Sequence, residues 1–255
     1  MGRAGEGYDG TIVRSAPSVL TRRAVLALAL LVALTLGLLA AASAPAAAPA
    51  ASQALAAFET PHTAYASPST DAKRVGYVTG TGPIMGRRSV FPVIDTRERR
   101  GATTWLRVRL PGRPNGRTGW VVARDTIAQS TGFHVVVELD RRRALVYWRS
   151  HRVRTFSVIV GKPSTPTPRG EFFVEEMVPL GPTADGAPFA LATSARSDVL
   201  ERYEGGVGQI ALHGIGNLSG TMGTAASHGC VRLGDAAIGW LAKTLSPGVP
   251  ITIRR

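Results

Sequence analysis

The stretch SHGCVRL, residues 227–233, contains the only cysteine of the chain, Cys230. A lone cysteine is usually a small buried apolar side chain. Two features of this stretch favour a reactive thiol instead. Gly229 adds no side chain, so substrate or backbone can come close to the sulfur. His228 and Arg232 stand two residues to either side, and positive charge near a thiol favours the thiolate.

A cysteine nucleophile also needs a base that takes its proton. The stretch IALHGI, residues 210–215, places His213 at the end of a predicted strand. His213 precedes Cys230 by 17 residues, and this span is long enough for a loop that brings the two side chains together. Taken by itself, His213 is more readily explained as a structural histidine with all its hydrogen bonds satisfied.

The two stretches together resemble the signature of the L,D-transpeptidase family with its YkuD-type catalytic domain. Upstream, GKP at residues 161–163 and TPTPRGEF at residues 165–172 resemble a further conserved segment of that family. The resemblance covers residues 133–255. It implies that Cys230 is the nucleophile, that His213 is its base, and that the backbone carbonyl of Gly214 orients the imidazole.

The resemblance also implies roles for the neighbours of the cysteine. His228 and the backbone amides of Gly229 and Cys230 are expected to line the site where the tetrahedral oxyanion develops. Ser227 is expected to position the adjacent loop by hydrogen bonding. Arg232 is expected either to bind a carboxylate of the donor stem or to brace the loop. The proline-stiffened residues 165–170 either border the site or hold a turn of the fold.

The implied reaction is a 3→3 cross-link between peptidoglycan tetrapeptide stems, with a cysteine thioester intermediate and release of D-Ala. The same chemistry with another acceptor would give an L,D-carboxypeptidase, a D-amino-acid exchange enzyme or a protein-anchoring enzyme. A non-enzymatic wall-binding protein is the remaining alternative. No cofactor or metal is implied, and β-lactams of the carbapenem type are expected to act as inhibitors.

The sequence predicts a mainly β fold with one helix near the end of the catalytic domain. Strands are predicted at residues 135–139, 144–148, 155–160, 170–174, 209–213 and 249–253. Asp235 is the expected N-cap of a helix whose apolar face contains Ile238, Leu241 and Leu245, because their spacings of three and four residues place them on one side.

A smaller β-module is predicted before the catalytic domain, at residues 58–130. Strand-like runs lie at residues 75–78, 89–93, 104–110 and 119–122, separated by turn residues. The arrangement WLRV followed by GRTGWV resembles a bacterial SH3-like barrel. Such a module would bind the cell wall, for example its anionic polymers, or it would only space or shield the catalytic domain.

The first 57 residues are predicted to direct export. Residues 1–23 carry arginines and form a cytoplasmic n-region, and residues 24–42 form an uncharged apolar run long enough to cross a bilayer. This run is either a cleaved signal peptide or a retained membrane anchor. Residues 43–57 are expected to be an Ala/Pro linker. The catalytic domain is therefore expected at the outer face of the cytoplasmic membrane or in the wall.

The composition excludes several other classes of protein. The 255 residues include 30 Lys+Arg and 17 Asp+Glu, which gives a formal net charge of +13. We attribute this charge to a general preference for arginine, because no basic face interleaved with aromatic residues and no nucleic-acid motif is present. One cysteine excludes an internal disulfide framework and a cysteine-rich zinc site.

Overall fold

A computed structural model describes residues 47–98, 103–203 and 205–255. The predicted n-region at residues 1–23 and the predicted signal or anchor at residues 24–42 lie outside the described residues. Within the described ranges, no helix has the length and apolarity that crossing a membrane requires. Residues 48–255 belong to one compact unit.

The first part of this unit is an antiparallel sheet of seven strands. The strands are β1 (Gln53–Phe58), β2 (His62–Tyr65), β3 (Arg74–Val78), β4 (Val90–Arg97), β5 (Trp105–Arg109), β6 (Thr118–Val122) and β7 (Thr126–Thr131). Their order across the sheet is β3-β2-β6-β5-β4-β1-β7. The four runs predicted from sequence in this module all overlap observed strands. The SH3-like character of the module stays a prediction.

The second part is a sheet of eight strands with a two-stranded sheet beside it. The strands are β8 (Phe133–Glu138), β9 (Arg143–Trp148), β10 (His151–Ser157), β11 (Val160–Gly161), β12 (Gly170–Pro179), β13 (Phe189–Arg196), β14 (Gln209–His213), β15 (Ala225–Ser227), β16 (Val231–Arg232) and β17 (Pro250–Arg254). The large sheet has the order β10-β9-β8-β17-β12-β13-β14-β16, and β11 pairs with β15. The mainly β class predicted from sequence is confirmed.

The predicted linker at residues 43–57 is wrong at its C-terminal end. Residues 53–57 belong to β1, which pairs on one side with β4 and on the other with β7. The run QALAAF has little intrinsic preference for a strand because alanine is a weak strand former. Burial explains its conformation, since Ala56, Ala57 and Phe58 are at most 1% exposed.

The described residues contain one helix, α1 (Asp235–Thr244), which buries Ile238 and Leu241 as predicted. The predicted N-cap is displaced by one residue. Gly234 is the N-cap, and Asp235 is the first helical residue. The Asp235 carboxylate instead accepts a hydrogen bond from the backbone amide of Ile215, 3.3 Å away. Its negative charge in the first turn still complements the helix dipole.

Strand β12 contributes to the cores of both parts of the unit. Phe172 packs in the core of the eight-stranded sheet, and the next residue, Phe173, packs in the core of the seven-stranded sheet. Phe173 lies 5.0 Å from Phe91, measured between ring centroids. Successive side chains of a strand point to opposite faces, so one strand can serve two cores. The two β-modules therefore share buried apolar surface.

Candidate active site

The four side chains predicted to carry chemistry, Cys230, His213, His228 and Arg232, line one pocket of about 210 Å³. Residues of strand β14 line the pocket, together with residues just before and within β16. A segment at residues 197–203, which we call the pocket wall, also lines it through Ser197, Leu200 and Tyr203. Residues separated along the chain by the 17-residue span therefore meet in the folded protein.

Parallel pairing of β14 with β16 determines where the cysteine lies. Leu212 pairs with Val231, so Cys230, one residue earlier, lies beside Ala211. The Ala211 amide donates a hydrogen bond to Sγ of Cys230 at 3.4 Å. The carbonyl oxygen of Gln209 lies 4.0 Å from the same sulfur. A donor aimed at the sulfur stabilises the thiolate relative to the thiol.

His213 is held in the tautomer that a general base requires. Nδ1 of its ring lies 2.8 Å from the carbonyl oxygen of Gly214. A carbonyl oxygen can only accept a hydrogen bond, so Nδ1 carries the hydrogen. The neutral ring then has its lone pair on Nε2, which is the atom available to take a proton. The geometry therefore gives the Gly214 carbonyl the orienting contact that the resemblance implies.

The surroundings of His213 lower its pKa below the ordinary value of 6.5. Burial of the ring is the main cause, and the positive charge of Arg232 acts in the same direction. The hydrogen bond to Gly214 and the negative charge of Asp185 oppose the shift. A base must be unprotonated to act, so the lowered pKa keeps the ring ready at neutral pH.

A tight turn at residues 227–230 presents the cysteine. Ser227 is fully buried; its Oγ donates to the carbonyl oxygen of Cys230 at 2.6 Å and accepts from the Gly229 amide at 3.1 Å. The Gly229 backbone has a φ of +125°, which favours glycine. The positioning role predicted for Ser227 thus has a specific geometry. The Gly229 amide, to which the resemblance gives an oxyanion contact, is engaged inside the turn in this structure.

Two buried threonines from the predicted 165–170 segment hold this turn. Thr165 Oγ1 donates to the carbonyl oxygen of Ser227 at 3.2 Å, and Thr167 Oγ1 donates to that of Gly229 at 2.8 Å. Thr167 Oγ1 also accepts from the Gly161 amide at 2.8 Å. A β-carbon on Gly161 would collide with the backbone of Thr165 and Thr167. The segment therefore supports the cysteine turn from behind.

His228 lies between two polar side chains. Nζ of Lys162 is 3.4 Å from Nε2 of His228, and the hydroxyl oxygen of Tyr203 is 3.3 Å from Nδ1. An ammonium group can only donate, so Nε2 accepts, and a neutral ring then carries its hydrogen on Nδ1. The rings of Tyr203 and His228 are 5.4 Å apart, between centroids. The pocket wall thus contacts the residue two positions before the nucleophile.

Arg232 braces a loop while also facing the pocket. Its Nη1 donates to the carbonyl oxygen of Ser219 at 2.9 Å. Its backbone exchanges two hydrogen bonds with Ile159, at 2.9 and 3.0 Å. The bracing alternative predicted from sequence therefore has a visible contact, and Arg232 also lines the pocket.

Several pocket residues escaped the sequence analysis, among them Asp185, Leu200 and Tyr203. They lie in residues 177–207, where the sequence contains no readable motif. The available signal was indirect: this long stretch lies between two predicted strands, and long connections often carry functional residues, although β13 occupies residues 189–196 of it. Within the described residues, no group of three or more His, Cys, Asp or Glu side chains is arranged to hold a metal ion.

Residues 132–253 match the family model of YkuD, the L,D-transpeptidase catalytic domain. The YkuD protein of Bacillus licheniformis, to which an L,D-transpeptidase activity is attributed, is 31% identical over 121 residues. The aligned region covers 48% of this chain, and the chain spans 65% of the length of that protein.

Solved structures of L,D-transpeptidases are also similar to parts of the chain. The enzyme from Mycobacterium smegmatis is 20% identical with a TM-score of 0.37, and the match covers 60% of this chain and 91% of that one. L,D-transpeptidase 3 from Mycobacterium tuberculosis, solved with a faropenem-derived adduct, is 15% identical with a TM-score of 0.40 and the same two coverages, 60% and 91%. The family-model match confirms that the C-terminal part of the chain, residues 132–253, resembles the YkuD-type L,D-transpeptidase catalytic domain.

Proposed function

We propose that this protein is an exported L,D-transpeptidase that cross-links peptidoglycan stems through a thioester on Cys230. The observation that carries the proposal is the state of His213. Its Nδ1 donates to Gly214, which leaves Nε2 as the basic atom in the pocket that also contains the only cysteine of the chain. The match of residues 132–253 to the L,D-transpeptidase catalytic domain supports the same conclusion.

In the first half of the reaction, His213 removes the thiol proton and Sγ of Cys230 attacks a donor amide. That amide joins the L-centre of diaminopimelate, at stem position 3, to D-Ala at position 4. The tetrahedral intermediate collapses, the carbon–nitrogen bond breaks, and the imidazolium of His213 gives its proton to the departing amine of D-Ala. The donor is left as a thioester.

In the second half, the side-chain amine of a second diaminopimelate attacks the thioester carbonyl. His213 takes the proton of that amine and returns one to the sulfur as the carbon–sulfur bond breaks. The thioester retains the free energy of the original amide bond, so the transfer needs no nucleotide. The 3→3 cross-link and free D-Ala are the products.

The pocket residues have separate parts in this scheme. Arg232, which faces the pocket with a positive charge, is suited to a carboxylate of the donor stem. His228 is a donor candidate for the oxyanion, because it lines the pocket together with Tyr203, whose hydroxyl lies 3.3 Å from its Nδ1. The apolar side chains of Leu200, Ile210 and Leu218 reduce the access of water, which competes with the acceptor amine.

Product analysis of residues 48–255 tests the proposal. The fragment must include β1, because starting at residue 58 would remove a strand that pairs with both β4 and β7. The fragment is incubated with disaccharide-tetrapeptides beside a Cys230→Ser control and analysed by mass spectrometry. We expect a dimer with twice the monomer mass less one D-Ala, and no dimer with the control.

Other products would redirect the assignment. A tripeptide alone would make water the acceptor, and an exchanged terminal residue in the presence of a free D-amino acid would make the protein an exchange enzyme. Unchanged tetrapeptide would contradict the transpeptidase and favour a wall-binding protein.

Acylation by β-lactams is a second test of the same nucleophile. The faropenem-derived adduct is a property of the M. tuberculosis protein. For this chain we expect carbapenems to acylate Cys230, because their strained amide carbonyl offers a thiolate a similar electrophile. Intact mass should increase by one carbapenem in the wild type and remain unchanged in Cys230→Ser. An adduct on the variant would place the reaction elsewhere.

A further inference from the structure

The turn between β5 and β6 reaches from the seven-stranded sheet to the pocket wall. The guanidinium of Arg113 donates three hydrogen bonds there: Nη2 to the carbonyl oxygens of Ser197 and Leu200, both at 2.8 Å, and Nη1 to that of Val207 at 3.0 Å. The loop that joins β13 to β14 comprises residues 197–208. Its outgoing limb contains Ser197 and Leu200, and its returning limb contains Val207. One side chain therefore ties the two limbs together.

Asn115, two residues further along the turn, holds the base of the same loop. Its amide nitrogen donates to the carbonyl oxygen of Arg196 at 2.7 Å, and its amide oxygen accepts from the Arg196 backbone nitrogen at 2.9 Å. This pair of bonds reproduces what a neighbouring strand would provide at the end of β13. The amide nitrogen also lies 2.9 Å from a carboxylate oxygen of Asp198.

The carbonyls of Ser197, Leu200 and Val207 receive few hydrogen bonds from other residues of the same loop. The internal backbone bonds of the loop close the neck, from the Ser197 amide to Gly208, and the tip, between Tyr203 and Gly206. Arg113 supplies donors for the carbonyls of three residues: the bond to Ser197 is part-buried, and those to Leu200 and Val207 are exposed. Gly208 leaves room for this contact, because a β-carbon there would lie 3.0 Å from Nη2 of Arg113.

The loop in turn connects Arg113 to the chemistry. Ser197, Leu200 and Tyr203 line the pocket, and the Tyr203 hydroxyl contacts His228, two residues from the nucleophile. We infer that Arg113 and Asn115 are positioning residues for substrate binding: the β-module holds the pocket wall in the shape that receives the donor stem. The module is then a working part of the enzyme rather than only a spacer.

This role also accounts for part of the positive charge of the module. The guanidinium of Arg113 is used on backbone carbonyls, and that of Arg117 donates to the carbonyls of Val75 and Arg113. A guanidinium that donates to internal carbonyls has fewer N–H groups left for an external polymer. The loop contacts, rather than net charge, are the basis of the inference.

Arg113→Ala and Arg107→Ala, compared in the full chain, test the inference. Arg107 is an exposed arginine of the same module whose Nε donates to Thr118 within that module. Arg107→Ala removes one positive charge, as Arg113→Ala does, but it leaves the hydrogen bonds to the pocket wall in place. For Arg113→Ala we expect KM for the tetrapeptide donor to rise about 10-fold or more while kcat changes by less than about three-fold. Arg107→Ala should retain both constants.

The KM prediction rests on the proposed function, because it needs an active transpeptidase. Two further readouts do not need that activity, so they separate failure of this inference from failure of the proposed function. Trypsin cleavage after Arg202, in the pocket wall, should accelerate about 10-fold or more in Arg113→Ala, whether or not the protein has transpeptidase activity. Iodoacetamide should still alkylate Cys230 in Arg113→Ala, because none of the described hydrogen bonds that hold the turn at residues 227–230 involves Arg113.

Asn115→Ala provides a second variant where Arg113→Ala fails to fold, with the same expected changes. Arg113→Lys should lie between wild type and Arg113→Ala, since an ammonium keeps the charge but not the planar fork that reaches both limbs. The inference is overturned by unchanged cleavage at Arg202, by an unchanged KM in an active enzyme, or by equal effects in Arg107→Ala.

Discussion

Gly186 lies directly against the imidazole of His213. A β-carbon on Gly186 would be 2.5 Å from Nδ1 and 3.0 Å from Cγ of that ring. The Gly186 carbonyl also accepts a hydrogen bond from the Gly214 amide at 2.8 Å, so Gly186 also holds the residue whose carbonyl orients the histidine. The ring orientation therefore depends on the absence of a side chain at residue 186.

Gly186→Ala should displace the base. The added methyl group forces the ring of His213 away from Gly214, and we expect kcat/KM to fall about 100-fold. The backbone φ of +82° adds a conformational cost of about 1–2 kcal/mol. Gly86→Ala is a matched control, because Gly86 has a φ of +64° and no atom within 4 Å of its added β-carbon. It should lose stability but keep activity; equal activity losses in both would remove Gly186 from the site.

The pH dependence of kcat/KM should report the lowered pKa of His213. The rise of kcat/KM with pH should have its midpoint below pH 6.5, because the buried ring releases its proton more readily than an exposed one. Arg232→Gln removes a charge that lowers the pKa, so its midpoint should move to higher pH. Asp185→Asn removes a charge that raises the pKa, so its midpoint should move to lower pH. Shifts in the same direction would mean that another group titrates.

Thr167→Val should destabilise the turn that presents the cysteine. The substitution leaves the Gly161 amide and the Gly229 carbonyl without their shared buried partner, at a cost of about 2–4 kcal/mol. Thr167→Ser keeps the hydroxyl and should lose only about 1 kcal/mol for the missing methyl group. Urea unfolding measures both free energies, and similar values for the two variants would argue that the methyl group, not the hydroxyl, supports the turn.

His134 should make the fold sensitive to acid. Burial, with the nearby charges of Arg109 and Arg254, lowers its pKa to about 4. Between pH 6.5 and 4 the unfolded chain binds a proton that the folded chain does not, so stability falls as pH falls, by at most about 3 kcal/mol.

The matched pair His134→Gln and His151→Gln measures this effect. A glutamine amide at residue 134 can still donate to Thr252 Oγ1, the partner of the His134 ring at 2.8 Å, but it does not titrate. We expect its unfolding free energy to vary less between pH 7 and pH 4 than that of wild type. His151→Gln, at an exposed position, should behave as wild type. A wild-type pH dependence in His134→Gln would assign the acid sensitivity to other groups.

The sequence predicted the members of the candidate pocket best where chemistry restricts residue type. Residues 212–233 contain a thiol, two histidines and flanking glycines, a combination with few functions other than nucleophilic chemistry. The structure brings the thiol and both histidines to one pocket. Strands with one solvent-exposed face were also predictable, because apolar and polar residues alternate along them. Strand β13 was not, because its residues 191–196 are all buried and show no period of two.

The pocket wall and β1 could not be predicted for a related reason: their conformations depend on distant contacts. Leu200 accepts its hydrogen bond from Arg113, 87 residues earlier in the chain. Strand β1 reads as an Ala-rich linker until its pairing with β4 and β7 is known. In both cases tertiary contacts supply what local propensity does not.

Strand β17 lies between β8 and β12, with Ile251 paired to Val135 on one side and to Phe172 on the other. It thus joins the two halves of the eight-stranded sheet, although it is the last strand in the chain. During synthesis, His213 and Cys230 are made before this strand is. A nascent chain therefore already contains the thiol and its proposed base before the strand that joins the two halves of the sheet has been made.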